Sequence, residues 1–407
     1  MIKKIKYILL FIIFIGGSYL LIVDYQKNEA SKKEENLLAE IKSHYNIYVK
    51  TNKEAKLYSF NNTIYSEIGI VSKDINLELE PLEINYDSIY FKIKNIPYYI
   101  SYKDVEKTEP FTNDNYYKNY IVFNENVITN DKTTFYKNDQ IIYQINESFS
   151  LPIIIKDIDK YYVEFNNELL YVKDIKEIIN NDNTSIDVRS EIMTLAYHFI
   201  YKEGELCTNF IICHPYSQFE EHMKYLSDNH YFALTMKDLD LFIDGKIRIP
   251  KNSVVITLDD GYLYKNAKEI LEKYKIHATY FVVTSWNNLE DMKSDYMYLA
   301  SHTNNMHNNY VCDEGIQGSE LLCQKKNLIL DDLKISRTML NNTEVFAYPF
   351  YEYNNRLIEI LKEVGFKMAF TGYENKGYSN TETNKFKIPR VTVHSTTTMN
   401  EFKRLIE

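Results

Sequence analysis

The stretch "SVVITLDDGYLYKNAKEILEKYKIHATYFVVTS", Ser253–Ser285, holds the alternation that decides the fold. "VVITLD" is an apolar and β-branched run of strand length, and it ends on two aspartates followed by Gly261. "YLYKNAKEILEKYK" has helical spacing, and "ATYFVV" is a second strand. Strand, helix of ten or more residues, strand is the repeating unit of a parallel α/β sheet. The pattern continues through "YLASHT" (strand), "ELLCQKKNLILDDLKISRTML" (helix), "EVFAYP" (strand), "NNRLIEILKEVG" (helix) and "IPRVTVH" (strand). The expected fold class of this part is therefore α/β, open or closed into a barrel.

Asp259 and Asp260 raise a chemical question. Two like charges at the end of a buried strand repel each other, and burying them is costly unless a cation compensates. In parallel α/β folds the functional groups gather at the C-terminal ends of the strands. Those ends carry Asp259 and Asp260, His302 and His307 in "SHTNNMH", Pro349 and Phe350 in "AYPF", and His394 in "VTVH". Solvated loop residues explain each of these alone but not the set. One carboxylate with two imidazoles makes a zinc-like divalent site with positions left open. The second carboxylate can then take a proton from the attacking water, and His394 can protonate a leaving amine. The chemistry is metal-assisted hydrolysis of an acyl group.

"TLDDG", "SHTNNMH", "FAYPF" and "VTVH" resemble, in order, the motifs of the polysaccharide deacetylases, the NodB-like carbohydrate esterases. "LAYHFI" and "EEHMKYLSDNHYFALTMKDLDLFIDG" look like the lead-in of many members, so the resemblance covers about Ser190 to Glu407. It implies a distorted (β/α) barrel, with Asp259 as general base and Asp260, His302 and His307 as metal ligands, zinc suiting them best. It also implies His394 as general acid, and the backbone N–H of Phe350, after Pro349, as an oxyanion donor. The sequence departs from the pattern in three places. His302 and His307 stand one residue further apart than in many members, as in the branch that includes exported poly-N-acetylglucosamine deacetylases. "VFAYPFYEY" lacks the arginine that often orients the catalytic aspartate, and Arg390 is the candidate to replace it. Tyr351 stands where glycine is common, which implies a narrower cleft rim.

The rest of the chain places this chemistry. Lys3, Lys4 and Lys6 precede an uncharged run from Tyr7 to Val23, close to the roughly 20 residues that span a bilayer. The reading is a signal anchor over 1–27 with its lysines cytoplasmic, a charged stalk over 28–50, and everything beyond on the extracellular, cell-wall side of the membrane. A cleaved signal peptide is the alternative. From 51 to 188 short alternating runs separated by Asn, Asp and Lys signal half-buried strands. "SIYFKIKNIPYYISYKDVEK" and "KYYVEFNNELLYVKDIKEI" repeat one plan, read as two small Src-homology-3-like β-barrels at 51–130 and 131–188. The catalytic domain then runs over 189–407.

Outside the cell, the two local cysteine pairs Cys207/Cys213 and Cys312/Cys323 are read as disulfides, with four free thiols or a zinc cluster lacking the usual spacing as the alternatives. The formal net charge of −10 argues against nucleic acid as a partner. His44, His214, His222, His230 and His277 have no acidic partner nearby in the chain and read as surface or packing residues. His198 in "AYHFI" follows an apolar run at a strand end, and either a cleft or a packing role fits it. Trp286 fits a core position or a sugar-stacking one. The expected function is N-deacetylation of N-acetylhexosamine in cell-wall glycan, peptidoglycan first. Exported poly-N-acetylglucosamine, an O-acetyl esterase activity, and a wall-binding protein with a decayed catalytic domain are the alternatives.

Overall fold

The computed structural model describes residues 47–80, 90–181, 188–207, 209, 212–312, 315, 317–372 and 374–407, with isolated positions between 28 and 39. The expected anchor over 1–27 and most of the stalk lie outside the described residues, and no described helix is long and apolar enough to cross a membrane. The chain divides into two compact units, Met1–Tyr117 with Asn124–Asp182, and Lys118–Phe123 with Asn183–Glu407.

The first unit uses one antiparallel pairing plan twice. In the first copy Ile47–Thr51 pairs with both Asn76–Leu79 and Val105–Lys107, and Ala55–Phe60 pairs with both Tyr65–Val71 and Tyr99–Ser101. In the second, Glu125–Thr129 pairs with both Ser150–Pro152 and Ile175–Asn180, and Thr133–Lys137 pairs with both Gln140–Ile145 and Glu168–Val172. Alternation buries one face of strands such as Ile47–Thr51 and Thr133–Lys137, with Leu57, Ile100, Phe135 and Val163 fully buried. Asn138 and Asp139, and again Asn166 and Asn167, hold the paired positive φ angles of two-residue hairpins. Tyr65–Val71 pairs antiparallel with Gln140–Ile145, joining the halves into one nine-stranded sheet. The second copy starts before 131, because Glu125–Thr129 pairs with Ser150–Pro152 and Ile175–Asn180 and not with the first copy.

The second unit is built on parallel strands β1 (Ile192–Tyr197), β2 (Ser253–Asp260), β3 (Ala278–Val282), β4 (Met297–Ser301), β5 (Val345–Ala347) and β6 (Met368–Phe370), hydrogen-bonded in that order. A short β7 (Val391–Thr392) runs parallel to β1, and Ile388 just before it bridges in parallel to Phe370 of β6. The sheet therefore curls until its two edges meet across residues 388–392, which fits a distorted barrel. All eight residues of β2 are buried, as expected of a central parallel strand covered on both faces.

Helices of eight residues or more flank the sheet: α1 (Tyr216–Asp228), α2 (Met236–Ile243), α3 (Tyr264–Tyr274), α4 (Lys326–Met339), α5 (Asn355–Val364) and α6 (Met399–Ile406). Their ends follow local chemistry. Thr235 and Asp238 form a capping box at α2, and Gly365, at φ 101°, ends α5. The expected single helix over "ELLCQKKNLILDDLKISRTML" is split, because Gln324 and Lys325 are extended between Glu320–Cys323 and α4. Disulfides link Cys207 to Cys213 and Cys312 to Cys323.

Candidate metal centre and active site

β2 ends with its two aspartates turned to different tasks. Asp259, 1% exposed, accepts both arms of the Arg390 guanidinium, Nη1 to Oδ1 at 2.6 Å and Nη2 to Oδ2 at 2.9 Å. Arg390 is fully buried, donates also to Thr257 Oγ1 and the Thr371 carbonyl, and lies between the rings of Phe281 and Tyr351, each 5.2 Å away. Burial alone would raise the Asp259 carboxyl, but Arg390 and the neighbouring imidazoles of His302 and His198 together outweigh it and hold the group below its ordinary value. Tyr351 therefore covers Arg390. Its hydroxyl meets Thr392 Oγ1 at 2.8 Å, and Gly372 leaves room for its ring where a Cβ would come within 2.6 Å.

Asp260 takes a left-handed conformation, φ 73°, which an aspartate tolerates and which swings its carboxylate away from that of Asp259. Gly261 follows at φ 102°, and a Cβ there would lie 2.4 Å from Asn287. Asn287 locks the turn by donating to the carbonyls of Asp260 and Val283. Asp260 Oδ1 lies 3.4 Å from His302 Nε2 and 3.2 Å from His307 Nε2, and those two nitrogens are 3.0 Å apart. Burial pushes the Asp260 carboxyl up, but the close approach of His302 and His307 outweighs it and holds the group far below the ordinary carboxylate range.

The donor set fits a divalent cation. Asp260, His302 and His307 bring one ligand atom each to a common point. Two nitrogens bound to one zinc at tetrahedral angles are about 3.3 Å apart, close to the spacing seen. His302 Nδ1 lies 2.9 Å from the Ala347 carbonyl, an acceptor, so Nδ1 carries the proton and Nε2 presents its lone pair. The loop between the histidines is held from α4. Asp332, 7% exposed, accepts the backbone N–H groups of Asn304 and Asn305 at 2.9 and 2.8 Å. Its place in the helical "ILDDLK" gave no sign of this, because its partners are backbone groups of a distant loop.

The remaining candidates line the same end of the sheet. His198, after β1, puts Nε2 3.9 Å from Asp259 Oδ2, with its Nδ1 buried and unpartnered. Burial lowers its basicity against the opposing pull of Asp259. His394 follows β7, its backbone N–H donating to Thr397 Oγ1. Pro349 is buried and Phe350, at φ 56°, turns the chain there. The Phe350 and Trp286 rings lie 4.8 and 5.4 Å from His307, and at 40% and 53% exposed both face solvent rather than the core. His214 and His222 are buried in the core behind β1. A cavity of about 740 Å³ lined by His277, Ala278, Met297 and Leu340 opens at the N-terminal ends of β3 and β4, away from these groups.

A family model described as polysaccharide deacetylase matches residues 246–369, which takes in the aspartate pair, His302, His307 and Phe350 and stops short of Arg390 and His394. The chain is 31% identical over 199 residues to a poly-beta-1,6-N-acetyl-D-glucosamine N-deacetylase of Staphylococcus aureus (strain MRSA252), covering 44% of this chain and 66% of that one. It thus spans just under two thirds of that relative's length. Among solved structures it is similar to a de-N-acetylase from Aggregatibacter actinomycetemcomitans, at 19% identity and a TM-score of 0.46, covering 53% of this chain and 99% of that chain. It is also similar to the Streptococcus pyogenes deacetylase PplD in complex with acetate, at 22% identity and a TM-score of 0.45, covering 53% and 98%.

Proposed function

This chain carries a polysaccharide deacetylase domain, and we propose that the domain hydrolyses the N-acetyl groups of N-acetylhexosamine residues in an extracellular glycan. The observation that carries the reading is the Asp260, His302 and His307 cluster beside an Asp259 clamped by a buried arginine. A divalent cation, zinc by ligand chemistry, would be held by those three residues and would polarise the acetamide carbonyl and acidify the attacking water.

The chain's own groups do the rest. Asp259, kept ionised and fixed in orientation by Arg390, accepts the proton of the water that attacks the carbonyl carbon. The C–N bond breaks, the amine takes a proton from an imidazole, and acetate leaves. His394 is the assigned donor, and His198, beside Asp259, is its rival. Trp286 and Phe350 offer ring faces to a sugar at the rim. The intact ligand cluster speaks against a decayed, purely binding protein.

For the glycan, the name of the staphylococcal relative favours β-1,6-linked poly-N-acetylglucosamine. Peptidoglycan is the second substrate, on the reading of residues 1–27 as an anchor that faces the catalytic domain to the wall. Acetate release from each purified polymer, with zinc added and Asp260→Asn alongside, tests the proposal. We expect the wild type to release acetate and the variant to lose both metal binding and activity. An Asp260→Asn protein that hydrolyses normally would overturn the metal reading.

A further inference from the structure

Of the three proposed metal ligands, His307 is the one that no strand end carries. Asp260 ends β2 and His302 follows β4 directly, with its side chain 2% exposed against 12% for His307. Asp332 fixes the start of the loop between the histidines, at Asn304 and Asn305. Its end is fixed from another segment. The Glu320 N–H donates to the Asn308 carbonyl at 3.0 Å, and Asn308 Nδ2 donates to Glu320 Oε2 at 2.9 Å. The residue next to His307 is thus clamped by the backbone and the side chain of one glutamate.

That glutamate belongs to a segment with firm anchors. Leu321 is buried in a core cluster with Leu357 and Leu361 of α5. Arg356 of α5 donates Nη2 to the Gln324 carbonyl at 2.7 Å, and the Ser319 N–H donates to the Glu352 carboxylate. The strand that runs on from Asn308 has no such anchor. Asn309–Val311 pairs antiparallel with Gln317–Ser319, and all three of its residues are exposed. So short a ribbon, with no buried side chain on one strand, is marginal in water. The Cys312–Cys323 disulfide joins this exposed strand covalently to the anchored segment, and both cysteines are half-buried rather than sealed in the core. The other disulfide, Cys207–Cys213, closes a loop after β1 that carries none of the proposed ligands.

We infer that the Cys312–Cys323 disulfide positions His307 and so makes metal retention at this site redox-dependent. Cutting the link lets Asn309–Val311 fray, and Asn308 then leaves Glu320 and frees the neighbouring imidazole from its place. Asp260 and His302, carried by β2 and β4, stay where they are, so the site keeps two ligands and loses affinity. With a phosphine as reductant the step balances. The S–S bond breaks, phosphorus takes the oxygen of one water to become the phosphine oxide, and each sulfur gains one electron and one proton. The inference rests on the reading of Asp260, His302 and His307 as a metal site. It makes Cys312 and Cys323 positioning residues that let the site fill in oxidising surroundings and empty it in reducing ones.

The test measures the zinc affinity of the full chain, by competition with a chromophoric chelator, before and after reduction with tris(2-carboxyethyl)phosphine. We expect reduction to weaken binding by about 10–100-fold. Cys312→Ser with Cys323→Ser should show the weakened affinity without reductant and no further loss with it. Cys207→Ser with Cys213→Ser should bind like the native chain until reduced, which assigns the effect to one disulfide. Glu320→Ala, which cuts the clamp and leaves both disulfides intact, should weaken zinc by a similar factor. With cobalt in place of zinc, the visible spectrum of the reduced chain should move towards that of His307→Ala, and not towards that of Asp260→Asn. Zinc affinity that ignores reduction, or a Glu320→Ala chain that binds zinc like the native one, would overturn the inference. Failure of the metal reading shows separately, as no zinc bound by the native, oxidised chain.

Discussion

Two neighbouring aspartates end β2 with opposite tasks, and one backbone angle separates them. Asp259 stays in the strand and meets Arg390, whereas Asp260, at φ 73°, turns out to the imidazoles. The residue types of this site were legible because carboxylate and imidazole at successive strand ends have few structural uses. Arg390 was legible only as an arginine near the right strand, and its fork on Asp259 depends on the closure that brings β7 beside β1. His198 was half legible for the same reason, since a strand end does not say which neighbour it faces. The proton donor is the open residue-scale question. We expect His394→Asn to lower kcat on a glycan by about 10²–10⁴-fold. It should spare hydrolysis of 4-nitrophenyl acetate, whose leaving group needs no proton. If His198→Asn shows that split and His394→Asn does not, the donor is His198.

At the scale of elements, a layer of buried rings ties two helices to β1. The Tyr197 hydroxyl lies 3.0 Å from His222 Nδ1 on α1, and the His222 ring stacks on Phe402 of α6 at 4.0 Å. His214 packs 5.4 Å from His222 with neither ring nitrogen bonded. The helical spacing of α1 was plain in the sequence. That these histidines face inward was not, because a histidine fits either face of an amphipathic helix. Burial pulls His214 down to about 3 and His222 to about 4. The unfolded chain binds protons at these groups near pH 6.5 and the folded chain does not. Stability is therefore fully present above pH 6.5 and declines as pH falls through the window from 6.5 towards 4. At pH 5 each imidazole should have removed about 2 kcal/mol. Urea unfolding at pH 7 and pH 5 should show this loss, and His222→Phe should recover part of it. An unchanged slope in that variant would place the pH dependence elsewhere.

At the scale of the whole molecule, the order of the parts was readable, from β-rich repeats to α/β layer, because the hydrophobic period changes from two to that of helices near 190. The boundaries were not, because the chain does not complete one unit before entering the next. Residues Lys118–Phe123, between the two β copies in sequence, belong to the catalytic unit. Ile121 donates to the Arg248 carbonyl at 2.9 Å, and Arg248 Nη1 donates back to the Val122 carbonyl at 3.0 Å. Tyr120 donates its hydroxyl to Asp238 Oδ1 at 2.6 Å. Asp238 is fully buried, and its other oxygen caps α2 through the Thr235 N–H. No hydrophobic period marks so short a strap. A fragment cut at 189 keeps every catalytic group yet leaves that buried carboxylate short of a donor, at a cost of about 1–3 kcal/mol. For a unit of this size each kcal/mol is worth about 2–4 °C. Scanning calorimetry should find the catalytic transition highest in the full chain, lower in the full chain carrying Tyr120→Phe, and lowest in the 189–407 fragment, which loses the Ile121 and Arg248 pairing as well. A fragment that melts with the intact chain's catalytic transition would show that the strap rests on this unit without holding it.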